Sequence, residues 1–76
     1  MNVDLNIFIT VTCPMPLQVA NTVNNPTEPV SYPDSVTYTC NPGYTHVSGD
    51  LTRNCQPDGT WSGIPPVCQG RLISLF

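Results

Sequence analysis

The stretch VTYTCNPGYTHVSGDLTRNCQPDGTWSGIPPVC, residues 36–68, decides the fold of this chain. It holds three of the four cysteines and the only tryptophan, Trp61. Tight turns interrupt it, because Pro fixes one central φ angle of a turn and Gly accepts a positive φ at the next. These turns are Asn41-Pro42-Gly43, Ser48-Gly49-Asp50 and Pro57-Asp58-Gly59. Between them lie short runs of Val, Tyr, Thr, Leu and Trp, which favour a pleated, half-buried surface.

The run Val36–Cys40 alternates large and small side chains. In an extended strand, Val36, Tyr38 and Cys40 share one face, and the two threonines share the other. Short strands are predicted at roughly 35–40, 44–47, 51–56, 60–62 and 67–69, with another short one at 17–20. Short strands, tight turns and an inward-facing cysteine predict a small, all-β, disulfide-rich module.

A series of motifs occurs in order along most of the chain. The motifs are Cys13-Pro14, Tyr38-Thr39-Cys40, Gly43-Tyr44, Gly49, Cys55, Gly59-Thr60-Trp61-Ser62-Gly63 and Pro66-Val67-Cys68. In this order they resemble the sushi domain, also called the complement control protein module or short consensus repeat. The resemblance implies an elongated bead of short antiparallel strands with two disulfides, whose two ends lie at opposite poles.

The four cysteines admit three pairings, and their spacing alone leaves all three open. The resemblance implies Cys13–Cys55 and Cys40–Cys68, that is, first to third and second to fourth. A zinc site is the alternative use of four cysteines. Structural zinc ligands usually come in pairs about two to four residues apart. Even the nearest two cysteines here, Cys55 and Cys68, are separated by much more than that. We therefore expect disulfides, which persist in extracellular compartments, and neither a metal nor a cofactor.

Charge and catalytic motifs exclude several function classes. The net charge is −3, with two arginines and no lysine. A polyanion site needs clustered cations, so nucleic acid and heparin are not expected as partners. The single histidine, His46, lies in no catalytic motif, and the scattered carboxylates form no acid–base pair. We therefore predict that the chain is not an enzyme.

The chain divides into an N-terminal extension or linker at 1–12, a sushi-like domain at 13–68 and a C-terminal extension or linker at 69–76. Both extensions carry apolar residues. The second is too short to insert across a membrane, since a spanning helix needs about 20 apolar residues. The resemblance implies that the two ends of the module lie at opposite poles. We therefore predict that the tails 1–11 and 71–76 do not pair with each other within one monomer. Extensions on both sides favour one bead of a larger protein.

Candidate core and contact residues can be assigned from the same patterns. The predicted core is Val36, Tyr38, Tyr44 and Trp61, with Trp61 packed on a disulfide. The polar segment 21–29 is predicted to be an exposed loop. Within it, Asn25-Pro26-Thr27 would be an N-glycosylation sequon, but the proline blocks it. Expected partner contacts lie in polar, protruding segments, at Asn24, Asn25, Thr27, Glu28, His46 and Asp50.

The resemblance implies an extracellular module for protein–protein recognition. Its expected partners are protein ligands and the neighbouring sushi or other modules of a multi-domain adhesion, matrix or complement-type protein. Two alternatives remain open on the sequence. One is a passive spacer without a ligand, and the other is a small secreted effector or inhibitor that works alone.

Overall fold

A computed structural model describes residues 10–70 of the chain, and this part contains strands and turns but no helix. The strands are β1 (Thr12–Cys13), β2 (Thr22–Asn25), β3 (Val30–Ser31), β4 (Ser35–Cys40), β5 (Tyr44–Ser48), β6 (Thr52–Asn54) and β7 (Val67–Gly70). All their pairings are antiparallel. The predicted fold class, a small all-β module with two disulfides, is confirmed.

The strands form three small sheets around β4. The central sheet has the order β2-β4-β6, and the pairs β1-β3 and β5-β7 flank it. The turn between β4 and β5 is closed by the Tyr44 amide, which donates to the Asn41 carbonyl at 2.9 Å. The turn after β6 is closed by Gly59, whose amide donates to Gln56 at 2.9 Å. The Pro-Gly and Asp-Gly segments therefore reverse the chain where the sequence predicts.

One disulfide lies at each end of β4. Cys55 donates its amide to the Asp34 carbonyl at 2.7 Å, which places the Cys13–Cys55 bond at the start of β4. Cys40 is the last residue of β4 and is bonded to Cys68. Both implied pairings are confirmed. In the chain-entropy model, closing loops of this length contributes about 4 kcal/mol each to stability, which a small module needs because its core is limited.

The core lies along the inner side of β4. Its buried residues, all less than 4% exposed, are Cys13, Val36, Tyr38, Cys55 and Cys68, and Pro66 is buried with them. Tyr38 also satisfies its polar groups, since its hydroxyl donates to the Leu17 carbonyl at 2.5 Å and its amide donates to Leu51. The alternation in residues 36–40 therefore directs Val36 and Tyr38 inward.

Several predicted strands differ from those observed. No strand forms at 17–20, where Pro14 and Pro16 precede it and the Leu17 carbonyl is bonded to the Tyr38 hydroxyl. The predicted strand at 60–62 is reduced to one bridge between Trp61 and Cys55. Side-chain bonds explain this, because Asp58 holds Thr60 in a turn.

The segment 21–29 is not entirely a loop, because its first part is β2, paired along β4. Three further predicted strands, at 44–47, 51–56 and 67–69, form with ends shifted by one or two residues. The prediction that the tails 1–11 and 71–76 do not pair is not tested, because residues 1–9 and 71–76 lie outside the described residues.

Candidate recognition surface

The outer side of the central sheet is a flat surface made by the residues that alternate with the core. Across β2, β4 and β6, the register pairs Val23 with Thr39, Asn25 with Thr37, and Thr37 with Thr52. Residues directly opposite each other in a sheet share a face, so these five side chains lie together. We call Val23, Asn25, Thr37, Thr39 and Thr52 the threonine face.

Every residue of the threonine face is exposed, and none is charged. Val23 is 61% exposed. Neighbouring side chains across the strands lie about 5 Å apart, so methyl groups and hydroxyls alternate over a continuous patch. A threonine hydroxyl both donates and accepts hydrogen bonds. This surface can therefore combine apolar contact with hydrogen bonds to a protein partner, and it carries no charge that would have to be desolvated.

The threonine face is held from below by the core. Val36 and Tyr38 alternate with Thr37 and Thr39 along β4 and are buried on the opposite side. One end of the sheet is further tied by Ser35, whose hydroxyl donates to the Asn54 side-chain oxygen at 2.6 Å. Because β4 is paired on both edges, the face is pre-organised, which lowers the ordering cost of binding.

The contact residues predicted at 24–28 fall on two sides of the sheet. Asn25 belongs to the threonine face, and Thr27 and Glu28 are exposed just beyond it. Asn24 is half-buried, and its side-chain amide donates to the Pro26 carbonyl at 2.8 Å. Asn24 therefore shapes the turn after β2 and has little freedom to meet a partner.

The contact residues predicted at His46 and Asp50 are exposed, but both are bonded within the module. A ring nitrogen of His46, Nε2, donates to the Gly49 carbonyl at 2.8 Å, since a carbonyl oxygen can only accept. The Asp50 carboxylate accepts from the Ile64 amide at 2.9 Å, and its own amide donates to the Ile64 carbonyl. Asp50 thus fixes the segment that precedes Cys68.

Two of the aromatic residues predicted to lie in the core do not lie there. Tyr44 is 39% exposed, because β5 pairs only with β7, and its ring lies over Gly70, which has no side chain. Trp61 is half-buried, and its indole Nε1 donates to the Pro14 carbonyl at 3.0 Å. Its backbone pairs with Cys55, which places Trp61 next to the Cys13–Cys55 bond in the fold.

A second exposed surface lies on the β5–β7 sheet. All five residues of β5 are exposed, and the strand carries a bulge between His46 and Ser48. Val47 is 54% exposed, and Val67, opposite Ser48, is 41% exposed. This surface carries two exposed valines, and the bulge makes its strand pairing less regular than that of the threonine face.

Thr37, Thr39, Thr52 and Val23 are the surface residues that sequence reasoning missed as contact candidates. The signal was present for two of them, because the alternation in 36–40 already placed the threonines opposite the core. Val23 and Thr52 could be added only from the register that joins β2 and β6 to β4.

Candidate metal ligands and acidic groups with a shifted pKa are few in the described part of the chain. Between residues 10 and 70, no three His, Cys, Asp or Glu side chains come together as metal ligands. Among the described titratable groups, Asp58 is the one whose pKa departs clearly from its usual value. Its pKa is lowered because the Thr60 hydroxyl and then the Thr60 amide donate hydrogen bonds to the carboxylate. No helix in the same range could cross a membrane.

These features define a small β module stapled by two disulfides, with two exposed sheet surfaces. The family model described as Sushi repeat (SCR repeat) matches residues 13–68. The chain belongs to the sushi family. Modules of this family act in recognition rather than catalysis, bind protein ligands and occur in multi-domain arrays.

Known proteins similar to the chain are larger than it. Complement decay-accelerating factor of Pongo pygmaeus is 36% identical over 66 residues, which cover 82% of this chain and 19% of that protein. Human complement receptor type 2 is 36% identical over 76 residues, covering 86% of this chain and 7% of that protein. Human sushi repeat-containing protein SRPX2 is 55% identical over 31 residues, covering 41% of this chain and 6% of that protein.

The chain thus spans less than a fifth of the length of these relatives. They are extracellular proteins or membrane ectodomains, and the chain is an extracellular module of the protein-interaction type.

Proposed function

We propose that the chain is a recognition module of a multi-domain, complement-type extracellular protein, and that the threonine face binds the protein partner. The supporting observation is this face itself, an uncharged patch in which every residue is exposed and the strand beneath is anchored in the core. Interface centres are depleted in charged residues relative to the rest of a protein surface. The described carboxylates, Glu28, Asp34, Asp50 and Asp58, belong to turns and loops outside the face.

Complement proteins are the first partners to test, because two similar proteins carry that word in their names. Adhesion and matrix proteins are the next class. The proposed contacts are Thr37, Thr39 and Thr52 at the centre, with Asn25 and Val23 at one edge. Thr27, Glu28 and His46 are exposed beyond this patch and would lie at its rim or outside it.

A passive spacer is the second candidate, and the placement of the module ends favours it. The described chain enters beside the Cys13–Cys55 bond, where the Val11 carbonyl accepts from Tyr32 at 2.8 Å. It leaves at Gly70, opposite Tyr44 and beyond the Cys40–Cys68 bond. Such a module holds its two neighbouring segments apart, whether or not it binds a ligand.

Binding measurements on the full chain separate the two candidates. The chain is immobilised, and a panel of purified serum complement proteins is passed over it by surface plasmon resonance. A partner is then tested against Thr39→Arg, which places a long charged side chain at the centre of the threonine face. We expect affinity to fall by about tenfold or more, corresponding to about 1.4 kcal/mol.

Thr45→Arg is the matched control. Thr45 is an exposed threonine on β5, so this variant makes the same chemical change on the β5–β7 sheet. Affinity should stay within about twofold of the parent chain. A loss on Thr45→Arg with none on Thr39→Arg would move the contact to the β5–β7 sheet. No binding across complement, adhesion and matrix panels would favour the spacer.

A further inference from the structure

Thr27 occupies an unusual position among the threonines of the module. It lies between β2 and β3, is exposed, and belongs to no strand. Within residues 10–70, no hydrogen bond involves its hydroxyl. By contrast, the Thr22 hydroxyl donates to the Val19 carbonyl at 2.8 Å, and the Thr60 hydroxyl donates to Asp58 at 2.6 Å. The Thr27 hydroxyl is therefore both reachable and uncommitted.

Two prolines keep the backbone around Thr27 out of any sheet. Pro26 and Pro29 have no amide hydrogen to donate to a strand. Glu28, which precedes Pro29, is restricted by the ring to an extended conformation. An enzyme that modifies a side chain must accommodate the backbone beside it. A segment that is exposed and unpaired offers that access, whereas Thr37 and Thr39 are fixed in the centre of a sheet.

We infer that Thr27 is an acceptor site for O-linked glycosylation in the secretory pathway. O-glycosylated segments combine threonine or serine with nearby proline, and Thr27 lies between Pro26 and Pro29. The chain is extracellular, so it passes through the compartment where nucleotide sugars are used. The adjacent Asn25 cannot be modified in the N-linked manner, because Pro26 occupies the middle of its sequon. That restriction does not affect the hydroxyl of Thr27.

The reaction is a group transfer from a nucleotide sugar, with N-acetylhexosamine as the expected first sugar. The Thr27 Oγ1 forms a bond to the anomeric carbon of the sugar. The bond between that carbon and the phosphate oxygen breaks, and the nucleoside diphosphate leaves. The hydroxyl proton is lost to solvent or to the leaving group, and nothing is oxidised or reduced.

A glycan at Thr27 would also limit how a partner approaches. Thr27 lies two residues beyond Asn25, which is at one edge of the threonine face. A bulky, hydrated sugar at that point would border the face without covering Thr39 and Thr52. It would therefore restrict approach from the β2–β3 side and leave the centre of the sheet free.

Intact mass measurement tests this site directly. The full chain is secreted from cultured animal cells, and its mass is compared with that of the same chain made in bacteria. We expect an added mass of at least one N-acetylhexosamine, localised to Thr27 by electron-transfer fragmentation. Thr27→Ala should abolish it. Thr39→Ala is the matched control, since it removes an exposed threonine from the sheet, and it should retain the added mass.

Two results would overturn the inference. One is a secreted chain without any sugar on the peptide that contains Thr27. The other is an added mass that persists in Thr27→Ala. Thermal unfolding of both variants serves as the folding check, and neither should change the melting temperature appreciably, because both side chains are exposed.

Discussion

The two sides of β4 have opposite characters although they alternate residue by residue. On the inner side, Val36 and Tyr38 are buried, as are Pro66 and three of the disulfide cysteines. On the outer side, Thr37 and Thr39 are exposed and form the centre of the threonine face. In so small a module, one strand has to supply both the core and the surface. The difference teaches that stability and the proposed recognition can be changed separately here, by substitutions one residue apart.

The same contrast separates pairs of similar residues elsewhere in the module. Gly49 is pressed against Pro65 and Pro66, whereas Gly43 has open space around it. Trp61 is half-buried, pairs with Cys55 and is bonded to Pro14, whereas Tyr44 lies on the exposed β5–β7 sheet. If the packed and open sides are correctly assigned, substituting each packed residue should lower the free energy of unfolding strongly. Substituting its open counterpart should lower it only slightly.

The largest effect is expected at Gly49. It has φ of 75°, and an added Cβ would lie 2.7 Å from the Pro66 Cα and would also meet the Pro65 carbonyl. Backbone must move to accommodate it, so Gly49→Ala should lower the free energy of unfolding by about 4 kcal/mol. Chemical denaturation followed by circular dichroism measures this.

Gly43→Ala is the control for backbone strain alone. Gly43 has φ of 86°, but a Cβ there would meet nothing within 4 Å. Its cost should be about 1 kcal/mol. Equal losses at the two glycines would show that the contact with Pro65 and Pro66 contributes nothing.

A smaller loss is expected at Trp61. Trp61→Ala removes a half-buried ring and leaves the Pro14 carbonyl without its donor. The expected cost is about 3 kcal/mol, the low end for truncation of a large aromatic residue. Tyr44→Ala, on the exposed sheet, should cost less than about 1 kcal/mol. If Tyr44→Ala proves the more damaging variant, β5 is covered in solution and the open side is misassigned.

The smallest effect concerns acid stability at Asp58. Hydrogen bonds from Thr60 hold the pKa of Asp58 below its usual value. A lowered folded-state pKa adds stability that is present above the unfolded pKa and is lost as the pH falls through the folded one. Because the carboxylate is fully exposed, the contribution is small. Asp58→Asn should therefore flatten the acid limb of melting temperature against pH slightly.

Thr60→Val supplies the matched variant, because it removes the hydroxyl donor and leaves the Asp58 carboxylate in place. It should raise the pKa of Asp58 toward the usual value, as followed by NMR titration of the carboxyl carbon. An unchanged titration in Thr60→Val would mean that the hydroxyl bond does not hold the charge.

Much of this module could be predicted from residues close together in the chain. Turns at 41–43 and 57–59 are expected from Pro and Gly, whose allowed φ angles are local properties. The inward direction of Val36 and Tyr38 is expected from the two-residue period of a strand. Cysteine spacing left the pairing open, and only the likeness to a family implied Cys13–Cys55 and Cys40–Cys68.

Only the tertiary structure decided which surfaces stay uncovered. Tyr44 and Trp61 are large aromatic residues, and composition alone favours the core for both. Whether a face is buried depends on the segments that pack against it, and the partner of each strand is distant in sequence. The pairing of β2 along β4 is such a case, since it turned a predicted loop into the edge of the threonine face. Local sequence encodes the direction of a side chain, whereas its neighbours across the sheet come from segments that meet only in the folded chain.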